Sequence, residues 1–203
     1  MMKLGLLMVA ALVLLTGCAS APPENPDDIC AVFDEKSAWY KKARRSSRRW
    51  GIPIPIMMSF IYQESSFKAK ARPPRKKILW IIPGRRPASA YGYAQATKET
   101  WAAYKKSTGH WSADRNDYGD AIDFIGWYND QTFRKNQVSK TDGYNLYLAY
   151  HEGQGGFAKQ SYRNKKWLID VARKVSVRAD TYQSQLNECD KRLRRGWFGR
   201  AFF

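Results

Sequence analysis

The interval at which apolar residues recur constrains this chain most. Within 167–193, Leu168, Val171, Val175, Tyr182 and Leu186 return at steps of three, four or seven, the period of one helix face. The same spacing places Ile122, Phe124, Ile125 and Tyr128 on a helix over 117–133. Further helices are expected over 31–50, 56–67, 94–107 and 142–150, the last capped by Thr141 or Asp142. Gly51-Ile52-Pro53 breaks the first of these, and Pro55 suits the first turn of the next. No stretch alternates convincingly with period two, and nothing repeats internally, so the fold class is mainly α. A chain of 203 residues with 44% hydrophobic and 14% aromatic residues can bury one substantial core, which excludes a disordered protein.

The N-terminus does not belong to that core. After Lys3 comes a run, 4–15, that is apolar apart from Gly5 and is shorter than the ~20 residues needed to span a bilayer. It leads into Leu15-Thr16-Gly17-Cys18, which resembles a bacterial lipobox. That resemblance implies a signal peptide over 1–17, cleavage before Cys18 and lipidation of Cys18. The residue after it is Ala19 rather than Asp, which by the same resemblance implies the periplasmic face of the outer membrane. The alternative is an ordinary signal peptide with an incidental Cys. Residues 18–29 contain Pro22, Pro23, Pro26, Glu24, Asp27 and Asp28 and read as a tether, leaving 30–203 as the folded domain.

An exported chain with two remaining cysteines, Cys30 and Cys189, admits a disulfide joining the two ends of the domain, or two buried thiols. The chain has 2 His, and neither lies near a Cys, so no metal or other cofactor is expected. The formal charge of +17 calls for an anionic partner. Nucleic acid is set aside, because a lipid-anchored protein outside the cytoplasm rarely meets it. Wall carboxylates and lipid phosphates remain. The cations gather in Lys41, Lys42, Arg44, Arg45, Arg48 and Arg49, and in a proline-rich loop over 68–90. This loop holds the apolar knot 78–82, which suits either an interfacial anchor or a lid. The aromatic, basic tail 197–203 has no assigned role.

Glu64 is the most informative residue. Met57, Phe60 and Ile61 lie at helical steps leading onto it, so its carboxyl lies on a buried stripe. There it must either pair with a nearby Lys or Arg, or rise in pKa toward what a general acid needs near neutral pH.

Three runs come in order: Ile61-Tyr62-Gln63-Glu64-Ser65-Ser66-Phe67, then Ser89-Ala90-Tyr91-Gly92-Tyr93-Ala94-Gln95, then Ala149-Tyr150-His151-Glu152-Gly153-Gln154-Gly155. Together they resemble the lytic transglycosylases of the soluble-lytic-transglycosylase (SLT) family, over about residues 50–165. The resemblance implies a lysozyme-like (goose-type) helical domain, here with a long basic loop insertion, acting on peptidoglycan glycan strands. It implies Glu64 as the catalytic acid, beside Ser65. It implies Tyr91, Gly92, Tyr93 and Gln95 along the cleft, and Tyr150, His151 and Glu152 in the third motif, with Tyr150 bonding near Glu64. Tyr93 and Ala94 stand where the family has Leu-Met, and His151 stands where it has Asn. Each residue has a plainer alternative. Ser65 could bond locally, and Tyr91, Tyr93 and Tyr150 could simply pack. Gln95 could be a surface residue, His151 structural, and Glu152 a solvated charge. Were Glu152 to approach Glu64, the pair would suit a hydrolase of lysozyme type, a muramidase. A non-catalytic wall-binding lipoprotein is the third reading.

Overall fold

The computed structural model describes residues 21–73 and 89–195, and the backbone at 77–78 and 82–83 between them. The signal segment, Cys18, most of the knot at 78–82 and the tail 197–203 lie outside the described residues.

The helices are α1 (Ile29–Glu35), α2 (Ser37–Trp50), α3 (Ile54–Ser65), α4 (Lys98–Thr108), α5 (Tyr118–Asn136), α6 (Gly143–Ala158) and α7 (Lys166–Arg195). Inside the basic loop, β1 (Lys77–Ile78) and β2 (Ile82–Pro83) form a two-residue antiparallel ladder, where the sequence suggested only a loop. The expected helix over 31–50 is split at Lys36, whose backbone leaves the helical region. Asp28, Thr97, Asp117 and Asp142 accept hydrogen bonds from the first backbone N–H groups of α1, α4, α5 and α6. Side-chain caps therefore set four of the helix starts.

The third motif departs from expectation. Gly153-Gln154-Gly155-Gly156 is not a turn that ends the helix: α6 runs on to Ala158 through a kink at Gly153, where φ is 74° and ψ 155°. That conformation suits glycine because no side chain opposes it.

α3 lies at the centre, packed on α7, α5 and α2. Ile54 through Ile61 are all buried, because neighbouring helices cover the stripe and its flanks alike. Trp39 stacks on Tyr118 with ring centroids 4.0 Å apart and meets Tyr93 edge-on at 5.7 Å. Tyr93 is thus a core residue, and its role as a sugar platform is corrected.

α7 runs along one side as a spine. Cys30 and Cys189 form a disulfide across a separation of 159 residues. A loop that long is worth roughly 4–5 kcal/mol in the chain-entropy account. Of the segment read as a tether, residues 21–29 are described, and they are fastened down. Asp27 pairs with Arg178 at 2.6 Å, the Tyr182 hydroxyl donates to the Pro26 carbonyl, and Gln185 Nε2 donates to the Asp27 carbonyl at 3.2 Å.

Candidate active site

Glu64 sits in the last turn of α3. That helix stops at once after it, because Ser66 and Phe67 take the left-handed conformation with φ of 49° and 59°. A bulky residue seldom adopts that backbone, at a cost of about 1–3 kcal/mol. Phe67 is held in it by full burial and by ring contacts with Trp39 and Tyr62. Strain next to Glu64 is thus supported by the core.

No cation pairs with Glu64 among the described residues. Its carboxylate oxygen Oε1 accepts a hydrogen bond from the Tyr147 hydroxyl at 2.9 Å. Burial pushes the Glu64 pKa from 4.5 up to about 7, and the Tyr147 hydrogen bond opposes that rise. Of the two outcomes open from sequence, the perturbed acid prevails over the ion pair.

Tyr147 is the residue that sequence reasoning missed. Tyr150 was expected to bond near Glu64, but its hydroxyl donates to the Ala94 carbonyl at 2.6 Å. The two tyrosines lie three residues apart on α6, so they share a face. Phe60 meets both rings edge-on, at 5.2 Å and 5.3 Å. The signal was present, since Tyr147 lies at the same helical step, but the register between α6 and α3 decided which tyrosine reaches the acid. Burial and the Glu64 charge push the pKa of both phenols above the ordinary tyrosine range. They stay protonated, and Tyr147 remains a hydrogen-bond donor.

The second motif forms a clamped turn. Tyr91 bridges to Ala96, and Gly92 N–H donates to the Ala71 carbonyl at 3.0 Å. Gly92 has φ of 81°, and a Cβ there would lie 1.9 Å from the Arg115 carbonyl oxygen, so only glycine fits. Gln95, also at positive φ, donates its amide to the carbonyls of Ala71 at 3.0 Å and Gly92 at 2.8 Å. Its nitrogen therefore braces the turn. Arg115, a second residue unforeseen from sequence, donates to the carbonyls of Ser89 and Ala96 at 2.8 and 2.9 Å. Arg115 and Arg72 lie over the half-exposed Tyr91 ring at 5.2 and 4.4 Å. Through Ala71, Ala94 and the Glu64–Tyr147 bond, the three motifs join in one assembly.

The remaining expectations divide. The buried Ser65 hydroxyl donates to the Ile61 carbonyl at 3.0 Å, a local bond within its own helix, and does not orient Glu64. His151 is exposed, meets Trp167 edge-on at 5.0 Å and has Nδ1 at hydrogen-bond distance, 3.1 Å, from Glu152 Oε1. Glu152 is the carboxylate that would have made a two-acid site. Lys165 Nζ donates to it at 2.8 and 2.9 Å, and Ser161 donates to it as well. Burial works to raise its pKa, but those hydrogen bonds outweigh it and bring the value from 4.5 to about 2. It is a fixed anion lashed to Lys165, near the end of α6.

A cavity of about 550 Å³ does not include Glu64 among its lining residues. It is walled by Tyr62, Gln63 and Ser59 of α3 and by Arg173 and Arg178 of α7. The chemistry points instead to the Glu64 end of α3.

A central helix that ends on a half-buried carboxyl with no counter-charge among the described residues, in a mainly helical domain, defines the lysozyme-like class. The sequence matches the family described as "Transglycosylase SLT domain" over residues 6–189, and the chain belongs to that family. No curated protein sequence matches it. Membership makes this a transglycosylase-type enzyme with peptidoglycan as its substrate.

Proposed function

We propose that the protein is a lytic transglycosylase that cleaves the β-1,4 bond between N-acetylmuramic acid and N-acetylglucosamine with Glu64 as its one acid and base. The observation that carries this reading is a half-buried Glu64 whose desolvated carboxyl has a pKa near 7 and no cationic partner among the described residues. Such a carboxyl is protonated over much of the neutral range and ready to give its proton up.

In the first step Glu64 donates its proton to the glycosidic oxygen. The C1–O bond breaks, the N-acetylglucosamine leaves as an alcohol, and the muramyl 2-acetamido oxygen closes onto C1. Glu64, now a carboxylate, is held by the Tyr147 hydroxyl, which supports the charged form. In the second step Glu64 takes the proton of the muramyl C6 hydroxyl, O6 displaces the acetamido oxygen at C1, and a 1,6-anhydro end results. Glu64 is protonated again, and no water is consumed. A two-carboxylate muramidase loses support, because Glu152 is engaged by Lys165, Ser161 and His151.

The same reading sets the place of action. Residues 1–17 are a signal peptide, and Cys18 is lipidated and holds the domain 30–203 at the periplasmic face of the outer membrane. The Cys30–Cys189 disulfide suits an oxidising compartment. Tyr91, partly exposed and with Arg72 and Arg115 over its ring, is the second-motif residue that would meet an acidic glycan strand.

Digestion of purified glycan strands, read by mass spectrometry, tests the reaction. Anhydro ends from the wild type and none from Glu64→Gln are expected, whereas reducing muramic acid ends would overturn the reading in favour of a hydrolase. In a high-salt wash, which screens ionic attraction to lipid, Cys18→Ala should leave the membrane fraction while the wild type stays, and retention of Cys18→Ala under that wash would refute the lipid anchor.

A further inference from the structure

The basic run of α2 forms one wall of a groove of about 370 Å³ that takes no part in the Glu64 network. Lys41, Arg44, Arg45 and Arg48 line one side, and Leu193 and Arg194 of the last turns of α7 line the other. The acid beside it is already occupied: Asp190 accepts from the Tyr40 hydroxyl at 2.6 Å and from Arg194 at 2.6 Å. On the same helix Lys42 is paired with Asp117 and Arg49 with Asp123. Lys41, Arg45 and Arg48 are exposed and have no acidic partner among the described residues. Cations gathered round a concavity without counter-charges repel one another, and an anion seated there relieves that repulsion.

Both ends of the folded body come out beside this groove. Glu24 N–H donates to Glu35 Oε2 at 2.9 Å, one residue short of Lys36, where the chain turns into α2. Asp34 pairs with Arg192 at 2.5 Å, which fixes the same corner to the end of α7. From Glu24 back to Cys18 the chain can reach at most ~20 Å. At the other end α7 is described as far as Arg195, and the sequence continues Gly196-Trp197-Phe198-Gly199-Arg200-Ala201-Phe202-Phe203. Tryptophan and neighbouring cations are characteristic of the membrane–water interface.

We propose that this groove seats the phosphate headgroups of an anionic lipid surface and lays the α2–α7 corner of the protein against the membrane. The argument from Cys18 rests on the lipid-anchored reading above, while the groove's unpaired charge stands without it. Anionic membranes attract each nearby Lys or Arg strongly enough to change affinity roughly fivefold per charge, and salt screens that attraction.

The test uses the mature chain with Cys18→Ser, which carries no lipid and contains every described helix. Its sedimentation is measured with vesicles of phosphatidylcholine alone and with added phosphatidylglycerol. Binding only to the anionic vesicles, reversed by salt, is expected. Lys41→Gln with Arg45→Gln and Arg48→Gln should weaken it roughly a hundredfold. Lys106→Gln with Lys159→Gln and Arg163→Gln, the same loss of charge elsewhere, should leave it nearly unchanged. These positions are exposed, so both variants should fold, as circular dichroism would verify. Equal losses in the two variants, or no preference for anionic vesicles, would overturn the proposal. So would a groove variant that loses soluble glycan strands instead of vesicles, because the partner would then be the polymer. Glu64→Gln should bind vesicles like the wild type, so failure of the catalytic reading and failure of this one are separable.

Discussion

Glu64 and Glu152 are two glutamates placed in opposite electrostatic settings, at the end of α3 and near the end of α6. Glu64 is half-buried with one phenol for company, and desolvation of its carboxyl brings the pKa to about 7. Glu152 is also covered, with 4% of its side chain exposed, yet Lys165, Ser161 and His151 bring it to about 2. Burial raises both, so the difference lies in the partners. A carboxylate that keeps its charge is a strut. One denied a counter-charge holds a proton it can release, and the fold keeps it that way at a cost in stability.

The largest effect should come from Glu64→Gln. It removes the transferable proton but keeps the shape, so cleavage of glycan strands should fall by at least ~10³-fold. Residual turnover within tenfold of wild type would break the comparison.

The same substitution should stabilise the fold at alkaline pH. The folded-state pKa is raised, so below pH 4.5 the carboxyl is neutral in both states and exacts no penalty. Between 4.5 and about 7 the unfolded chain ionises first and stability drains away, and above 7 the penalty is constant at about 3 kcal/mol. Thermal melts near pH 8 should therefore show Glu64→Gln above wild type by several degrees, with little difference near pH 4. A lower melting temperature at pH 8 would mean that Glu64 is paired after all.

Tyr147→Phe sharpens the contrast from the partner's side. The hydroxyl lowers the Glu64 pKa, so its loss should carry that pKa above 7. The alkaline limb of the activity profile should move up in pH, with a drop of about tenfold in rate at the optimum. Tyr150→Phe, which frees the Ala94 carbonyl instead, should leave that limb in place. A shift with Tyr150→Phe alone would reverse the two assignments.

Glu152→Gln should do least. Its pKa is depressed, so its contribution is present above pH 4.5 and is lost as pH falls toward 2. Lys165 is 41% exposed, so screening trims the gain to about 1 kcal/mol. Urea melts at neutral pH should register that loss, while turnover stays within a few-fold of wild type. A loss of activity comparable to that of Glu64→Gln would restore the two-carboxylate hydrolase.

The two glutamates also mark where the sequence was legible. Apolar spacing placed Glu64 on a buried face of α3, and Met57, Phe60 and Ile61 are indeed fully buried. Helical steps marked α5 and α7 to within a few residues, and the cysteines at the two ends of the domain are bonded. Glu152, by contrast, could not be placed, because Lys165 and Ser161 reach it from beyond the kink at Gly153. Ser65 and Tyr93 resemble cleft residues in their motifs, yet a backbone carbonyl claims one and the Trp39–Tyr118 stack claims the other.

By itself, then, the sequence determined the helical class, the excess of cations, the two cysteines at the ends of the domain and the helix face on which Glu64 lies. Those follow from local periodicity, composition and residue type. The tertiary structure alone decided that Tyr147 rather than Tyr150 meets Glu64 and that Gln95 braces its own turn. It also decided that the α2 cations form a groove with the end of α7. The physical reason is register. A sequence shows which side chains share a face, but contacts of 3 Å depend on how far one helix slides along another, and the packing of the whole core sets that.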